Sequence, residues 1–258
     1  MINKILELEL NNYFWLYFLK KILRLNKIYF ILSNKKYLPY NNHPLDDSDN
    51  FLEEQYNKFN NNKFNFNKDL FKNLKKIFRY NSNLKVLDIG GENLDLYLFL
   101  KKKFPKIKIY VVNQSKLIKS FKKLINKKNI KGINVFSNVK DINNINFDFV
   151  YFGSSLQYIK FYDKILVYLL KKKINYFCIS ATSYFYSGSS NKKIILKQLN
   201  LLPQKLYCYC FNFNHIESFF KKFNYKKIFK KQNPYKKINF QNFKMKIEYL
   251  NVLYKRIK

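Results

Sequence analysis

The stretch Lys85-Val86-Leu87-Asp88-Ile89-Gly90-Gly91 decides the fold of this chain. A short run of β-forming residues ends on an aspartate and two adjacent glycines, and a helical pattern opens at Leu94. Glycine is scarce: there are 5 in 258 residues, beside a single alanine, Ala181. Asn, Lys, Ile, Phe and Tyr fill most other places, and Arg24, Arg79 and Arg256 are the sole arginines. All five favoured types have A/T-rich codons, so the composition is that of an A/T-rich genome drifting wherever drift is harmless. Two neighbouring glycines kept against that drift mark a turn that does not tolerate a Cβ. Between a strand and a helix, such a turn cradles a ligand.

Along the rest of the chain, apolar runs at residues 86–89, 107–112, 133–136, 147–152 and 176–180 alternate with helical patterns at 94–104, 116–126 and 160–171. Apolar strands spaced by amphipathic helices predict a parallel sheet covered on both faces. The fold class is therefore α/β: Rossmann-like, mostly parallel and doubly wound. A helix near 215–223 is followed by two strands, 225–231 and 247–257, with no helix between them. That order predicts an antiparallel pair at one edge of the sheet. Residues 81–258 form this domain, and residues 1–80 a helical N-terminal extension. Within the extension, one or two helices cover 1–32, and a loop with the acidic run Asp46-Asp47-Ser48-Asp49 covers 33–50. Asn50 and Glu53 then open a helix to about residue 60. Leu70, Phe71, Leu74, Ile77 and Phe78 mark another helix over about 68–79.

The chain is 47% hydrophobic and 19% aromatic, ample for a core, and carries a formal charge of +34. Lysines are spread through every segment and arginine is nearly absent, so codon drift explains the charge without a specific nucleic-acid partner. Such a surface still attracts polyanions at low salt. Cys178, Cys208 and Cys210 are an odd set with no four-ligand metal spacing. They read as buried free thiols in a reducing, cytoplasmic compartment. Lys20, Lys21, Arg24 and Lys27 break the apolar stretch 13–32 well short of the ~20 residues a membrane span needs. That stretch instead reads as a basic amphipathic helix, packed on its own domain or lying on an anionic membrane surface. Glu7 and Glu9 argue against a signal peptide.

In open parallel sheets the ligand sits beyond the carboxyl ends of the strands. Those ends here are Asp88-Ile89-Gly90-Gly91-Glu92, Val112-Asn113-Gln114, Phe136-Ser137-Asn138 and Phe152-Gly153-Ser154-Ser155-Leu156-Gln157-Tyr158. Neither the G-x-G-x-x-G of a dinucleotide site nor a P-loop is present. Asp88 and Glu92 flank the turn and would repel a pyrophosphate, but they suit a ligand with a positive end. S-adenosylmethionine, with its ammonium and sulfonium, is such a ligand. On a purely structural reading, Asp88 could cap the next helix and Ser154-Ser155 could be an N-cap pair.

These pieces resemble the class I S-adenosylmethionine-dependent methyltransferases. More narrowly, they are similar to a family of bacterial methyltransferases with D-[FI]-G-G and S-S-x-L-Q-Y motifs. The resemblance covers roughly residues 84–258 and rests on Val86-Leu87-Asp88-Ile89-Gly90-Gly91, Val111-Val112-Asn113-Gln114 and Ser154-Ser155-Leu156-Gln157-Tyr158-Ile159. It implies that Asp88 holds the amino group of the cofactor and that Gly90 and Gly91 let the backbone approach it. Asn113, followed by Gln114, stands at the place of the acid that takes the ribose hydroxyls, and Asn138 where the adenine is contacted. Ser154, Ser155 and Leu156 would wall the methyl-donor side, while Gln157 and Tyr158 would face the acceptor. The resemblance also implies a small-molecule or glycan acceptor, such as a surface-glycan precursor. Two departures stand out: Glu92-Asn93-Leu94 replaces a third glycine, and Asn113 replaces the ribose acid. They leave open a methyltransferase fold that serves as a non-catalytic binding or scaffolding protein, and the charge leaves open a basic RNA-binding or RNA-modifying protein.

Overall fold

Side chains alternate across a strand, so a sheet covered on both faces sorts its apolar residues into two layers. The computed structural model of the chain describes residues 29–32, 37–39, 52–54, 56–57, 68–78, 83–91, 94–186, 191–201, 204–233 and 247–257. At its centre five parallel strands lie in the order β4-β3-β2-β5-β6: β2 (Lys85–Ile89), β3 (Lys108–Val112), β4 (Ile133–Phe136), β5 (Phe149–Gly153) and β6 (Tyr176–Phe185). Val86, Ile109, Val111 and Phe149 face one layer, built with α1 (Lys68–Phe78), α2 (Asp95–Lys103) and α3 (Ser115–Lys127). Leu87, Val112, Val150 and Phe152 face the other, built with α4 (Tyr162–Lys171) and α5 (Phe213–Lys221). Each such buried side chain contributes roughly 1.5–3 kcal/mol. This is the doubly wound sheet that the alternation of strands and helices predicts.

The antiparallel pair at the far side is also present. β10 (Ile247–Arg256) runs antiparallel to β6, and β9 (Tyr225–Gln232) pairs with β10 as the outer strand. Four exposed lysines on β9, Lys226, Lys227, Lys230 and Lys231, blunt that edge against pairing with another chain.

The N-terminal region departs from expectation. Tyr29–Leu32 is a strand, β1, antiparallel to β7 (Lys193–Leu201), and not the end of a helix. A four-residue apolar run fits either period, and pairing with a distant strand decides between them. The helices predicted over residues 1–28 and the acidic run 46–49 lie outside the described residues. Residues 52–54 and 56–57 are helical, with Leu52 fully buried in the α1–α3 layer and Glu53 paired to Lys127 at 2.9 Å. Among the described residues no helix is long and apolar enough to cross a membrane.

β7 pairs with β8 (Gln204–Asn212), and β8 joins the main sheet alongside the distal half of β6, at Tyr184 and Phe185. β6 thus serves two partners on one side, β5 up to Ser180 and β8 from Tyr184. The change of partner falls at Ala181, which takes a left-handed φ of 51°, opposite an irregularity of β10 at Asn251. Asn251 is fully buried, and its Oδ1 accepts from Ser180 Oγ (2.7 Å) and Ala181 N (2.9 Å).

Replacing Asn251 with Leu removes the acceptor of two buried donors. Urea unfolding is expected to show a loss of about 2–4 kcal/mol with an unchanged m-value. Cys178, Cys208 and Cys210 are all free and buried, and burial pushes the thiols of Cys178 and Cys210 well up. A thiolate reagent is therefore expected to label none of the three in the native protein and all of them in denaturant.

Candidate functional site

The strand order reverses between β2 and β5, because the chain leaves β2 for β3 and β4 and returns on the other side. The crevice therefore opens between the carboxyl ends of β2 and β5, whose ladder ends at Asp88 and Tyr151, while β3 stays bonded to β2. Gly90 takes φ +73°, and its N–H donates to Val112 O of β3 at 2.7 Å. A Cβ there would lie 2.5 Å from Ser155 Cβ, so both the conformation and the space demand glycine. At Gly91 a Cβ would lie 2.8 Å from Asp88 Cγ: the carboxylate of Asp88, buried at 4% exposure, is folded under the turn.

Two side chains fasten this turn to its neighbours. Asn113, at the end of β3, donates from Nδ2 to Gly91 O (2.7 Å) and accepts at Oδ1 from Gln114 N (2.7 Å). Ser155, buried beyond β5, donates from Oγ to Ile89 O. Both reach backbone carbonyls that a parallel ladder leaves unpaired once its strands diverge. An acidic residue in place of Asn113 could not donate to Gly91 O, so the amide gives the turn a clamp.

The turn thus gathers Asp88, Gly90, Gly91, Asn113, Ser154 and Ser155. Ser154 is half-buried with φ 64°, and its N–H continues the β5–β6 ladder to Ser180 O at 2.8 Å. Gln114 is exposed just before α3. Asn138 is exposed beyond β4, two strands from the turn, and its Oδ1 caps a short 3-10 turn by accepting from Lys140 N at 2.9 Å. Leu94 stands at the N-cap position of α2, and Ser155 at that of the short turn that follows, where its hydroxyl donates to Ile89 O instead of capping.

Leu156 and Gln157 are fully buried. Leu156 belongs to the apolar layer beneath α4, and Gln157 accepts at Oε1 from Ser183 N at 3.1 Å. Gln157 thus fills the step between the end of β5 and the start of the β8 pairing, and Ser183 Oγ donates on to Tyr209 O at 3.0 Å. Tyr158 is half-buried against Phe185, Leu196, Cys208 and Cys210. Ser183, Tyr209 and Asn251 carry this arrangement, and no motif announced them. The one available signal was the apolar run Leu206–Phe211, which reads as a strand.

His215 lies half-buried on α5, and burial, then Lys192 and Lys222, hold its imidazole below its ordinary value. His43 lies outside the described residues. Among the described residues no three His, Cys, Asp or Glu side chains are grouped to hold a metal ion.

No protein-family model matches the chain, and no curated protein matches it in sequence. Solved structures do match in fold. A protein described as a sarcosine dimethylglycine methyltransferase from Galdieria sulphuraria superposes with a TM-score of 0.50 at 12% identity, over 82% of this chain and 98% of that one. The N-terminal domain of EvdMO1, crystallised in the presence of S-adenosylhomocysteine and D-fucose, gives 0.50 at 10% identity, over 75% of this chain and 85% of that one. What they share with this chain is the fold, the Rossmann-like sheet of the S-adenosylmethionine-dependent methyltransferases.

Gly90→Ala is expected to destabilise the protein by about 1–3 kcal/mol, read from the shift in unfolding midpoint. Both the forced positive φ and the contact with Ser155 contribute. A midpoint equal to wild type would mean that the turn is looser than this geometry requires.

Proposed function

We propose that the chain binds S-adenosylmethionine at the β2 turn and transfers its methyl group to an acceptor held beside residues 154–162. The observation that carries this reading is the turn itself: two glycines whose Cβ positions are filled by neighbours, over a buried carboxylate, at the point where the strand order reverses. The donor set suits the cofactor, since a buried carboxylate favours an ammonium over a phosphate. The fold likenesses support it, because EvdMO1 was crystallised with S-adenosylhomocysteine.

In this reading Asp88 takes the ammonium of the cofactor, and Gly90 and Gly91 let it approach the backbone. Ser154 and Ser155 bound the donor side. Gln114 and Asn138 lie toward the ribose and adenine. S-adenosylmethionine supplies an electrophilic methyl group on a sulfonium. The protein's task is then to align an acceptor with that group and exclude water, and alignment provides most of the acceleration. Leu156 and Gln157 act from beneath: they fix the loop after β5, and Tyr158 closes it against the β7–β8 sheet. The acceptor is a small molecule or a glycan, in keeping with the small substrates after which the Galdieria protein is named.

Asn113 favours a second reading. Its amide is engaged with Gly91 and Gln114, where the resemblance expects a carboxylate for the ribose. A protein that keeps the fold and the turn without binding the donor would have this substitution.

Calorimetry separates the two. Wild type is expected to release heat with S-adenosylmethionine, and Asp88→Ala to bind it at least about ten-fold more weakly, the loss of one charge-assisted bond. Silence from folded wild type at millimolar cofactor would overturn the donor assignment and leave the scaffolding reading.

A further inference from the structure

Helices of a doubly wound sheet carry the chain from the carboxyl ends of the strands back to their amino ends, so their own carboxyl ends collect on one side. Here that side lies opposite the glycine turn, and each of α1 to α5 delivers lysine to it. Lys75 and Lys76 stand in the last turn of α1, and Lys103, Lys127, Lys171 and Lys221 end α2, α3, α4 and α5. All six are exposed. A helix dipole favours a cation in its last turn and fades beyond it. The lysines continue past that point: Lys106 follows α2, Lys131 follows α3, Lys173 follows α4 and Lys222 follows α5, all exposed. Asp95 and Asp163 stand instead in the first turns of α2 and α4, and Glu248 at the start of β10, all at the crevice side. On the lysine side Asp148 accepts from Lys85 N at 2.9 Å, and Glu53 is paired with Lys127.

The end of β10 fastens two of these loops into one surface. Arg256 N donates to Asn175 O at 2.9 Å, and Arg256 Nη1 to Lys173 O at 3.2 Å. Ile257 N donates to Asn224 O at 2.7 Å. The loop after α4 and the loop after α5 are thus bonded to the same two residues, with the exposed Lys255 beside them. Ile257 lies between these basic loops and is 48% exposed. Among the described residues the exposed large aromatic rings, Tyr37 and Phe161, touch each other at the crevice side, where Phe161 precedes α4.

We infer that this basic face docks on an anionic phospholipid bilayer, with its lysines at the headgroups and Ile257 at the acyl boundary. Lysine is a compact point charge, and a plane of anionic headgroups gives each one near the surface about a five-fold gain in partition. An exposed isoleucine among lysines suits the boundary between headgroups and chains. Single-stranded nucleic acid is disfavoured, because it calls for exposed rings on which bases stack, and those lie on the other side. In this pose the glycine turn faces away from the bilayer. The docking does not depend on the methyl-transfer reading and is measured without S-adenosylmethionine.

The test uses the full chain at about physiological salt, where charges more than about 8 Å from the surface are screened. Co-sedimentation follows partition onto phosphatidylcholine vesicles with and without about one-third phosphatidylglycerol. Wild type is expected to bind the mixed vesicles and not the neutral ones. Lys171→Gln, Lys221→Gln and Lys222→Gln combined should lower partition by about 100-fold. Ile257→Ser alone should lower it by about five-fold. Lys140, Lys160 and Lys164 are exposed at the crevice side, and replacing them with Gln removes the same charge. That control should stay within about two-fold of wild type. The replaced side chains are exposed, and equal melting temperatures would show that the variants fold. Four results would overturn the inference: no binding to mixed vesicles, equal binding to neutral ones, a control triple as weak as the first triple, or binding that no variant weakens. Tight binding of a labelled single-stranded oligonucleotide, lost in the first triple and without vesicle binding, would assign the face to nucleic acid instead. Heat from S-adenosylmethionine alongside any of these would leave the donor site standing alone.

Discussion

A parallel sheet whose strand order reverses must let neighbouring strand ends diverge, and the backbone groups at that divergence still need partners. Here the strands are β2 and β5, and the rest of the site follows from how their ends are satisfied. Gly90 N reaches across to β3, Asn113 returns a bond to Gly91 O, and Ser155 comes from beyond β5 to Ile89 O. These three bonds hold a left-handed glycine in place and fold the Asp88 carboxylate under it. Loss of any one would leave a buried polar group unpaired, which weighs more than the bond itself contributes.

The same constraint recurs one strand further on. β6 outlasts β5 by half its length, so its distal backbone would lack a ladder on that side. Gln157 covers Ser183 N, β8 takes over at Tyr184, and Asn251 covers Ala181 N across the irregularity of β10. Small polar residues at strand ends thus act as substitutes for missing strands. That explains why Ser155 and Gln157 are buried within the Ser-Ser-Leu-Gln-Tyr segment.

Charge has two roles. Along β9, Lys226 and Lys231 are exposed guards of the edge, while Lys227 pairs with Glu217. Lys227 and Lys230 also sit over the Phe213 ring, and like Lys160, Lys164 and Lys193 around Phe161 and Tyr37 they gain from the ring quadrupole. Composition alone treats both sets as the same drift toward lysine. Only their neighbours distinguish them.

The sheet and the turn were legible in the order of residues. Apolar runs of β-branched and aromatic residues, spaced by amphipathic helices, specify a covered parallel sheet, and a costly glycine pair after an aspartate marks the turn where its strand order reverses. Those signals are local, because periodicity and a positive φ are properties of a few adjacent residues. Long-range pairing was needed to make Tyr29–Leu32 a strand, to switch the partner of β6 at Ala181, and to turn Asn113 into a clamp on the turn. It also brought Tyr37 onto Phe161, 124 positions apart in the numbering. Each of these depends on a partner far along the chain, and which backbone group lacks a hydrogen bond is known only once the strands are in place.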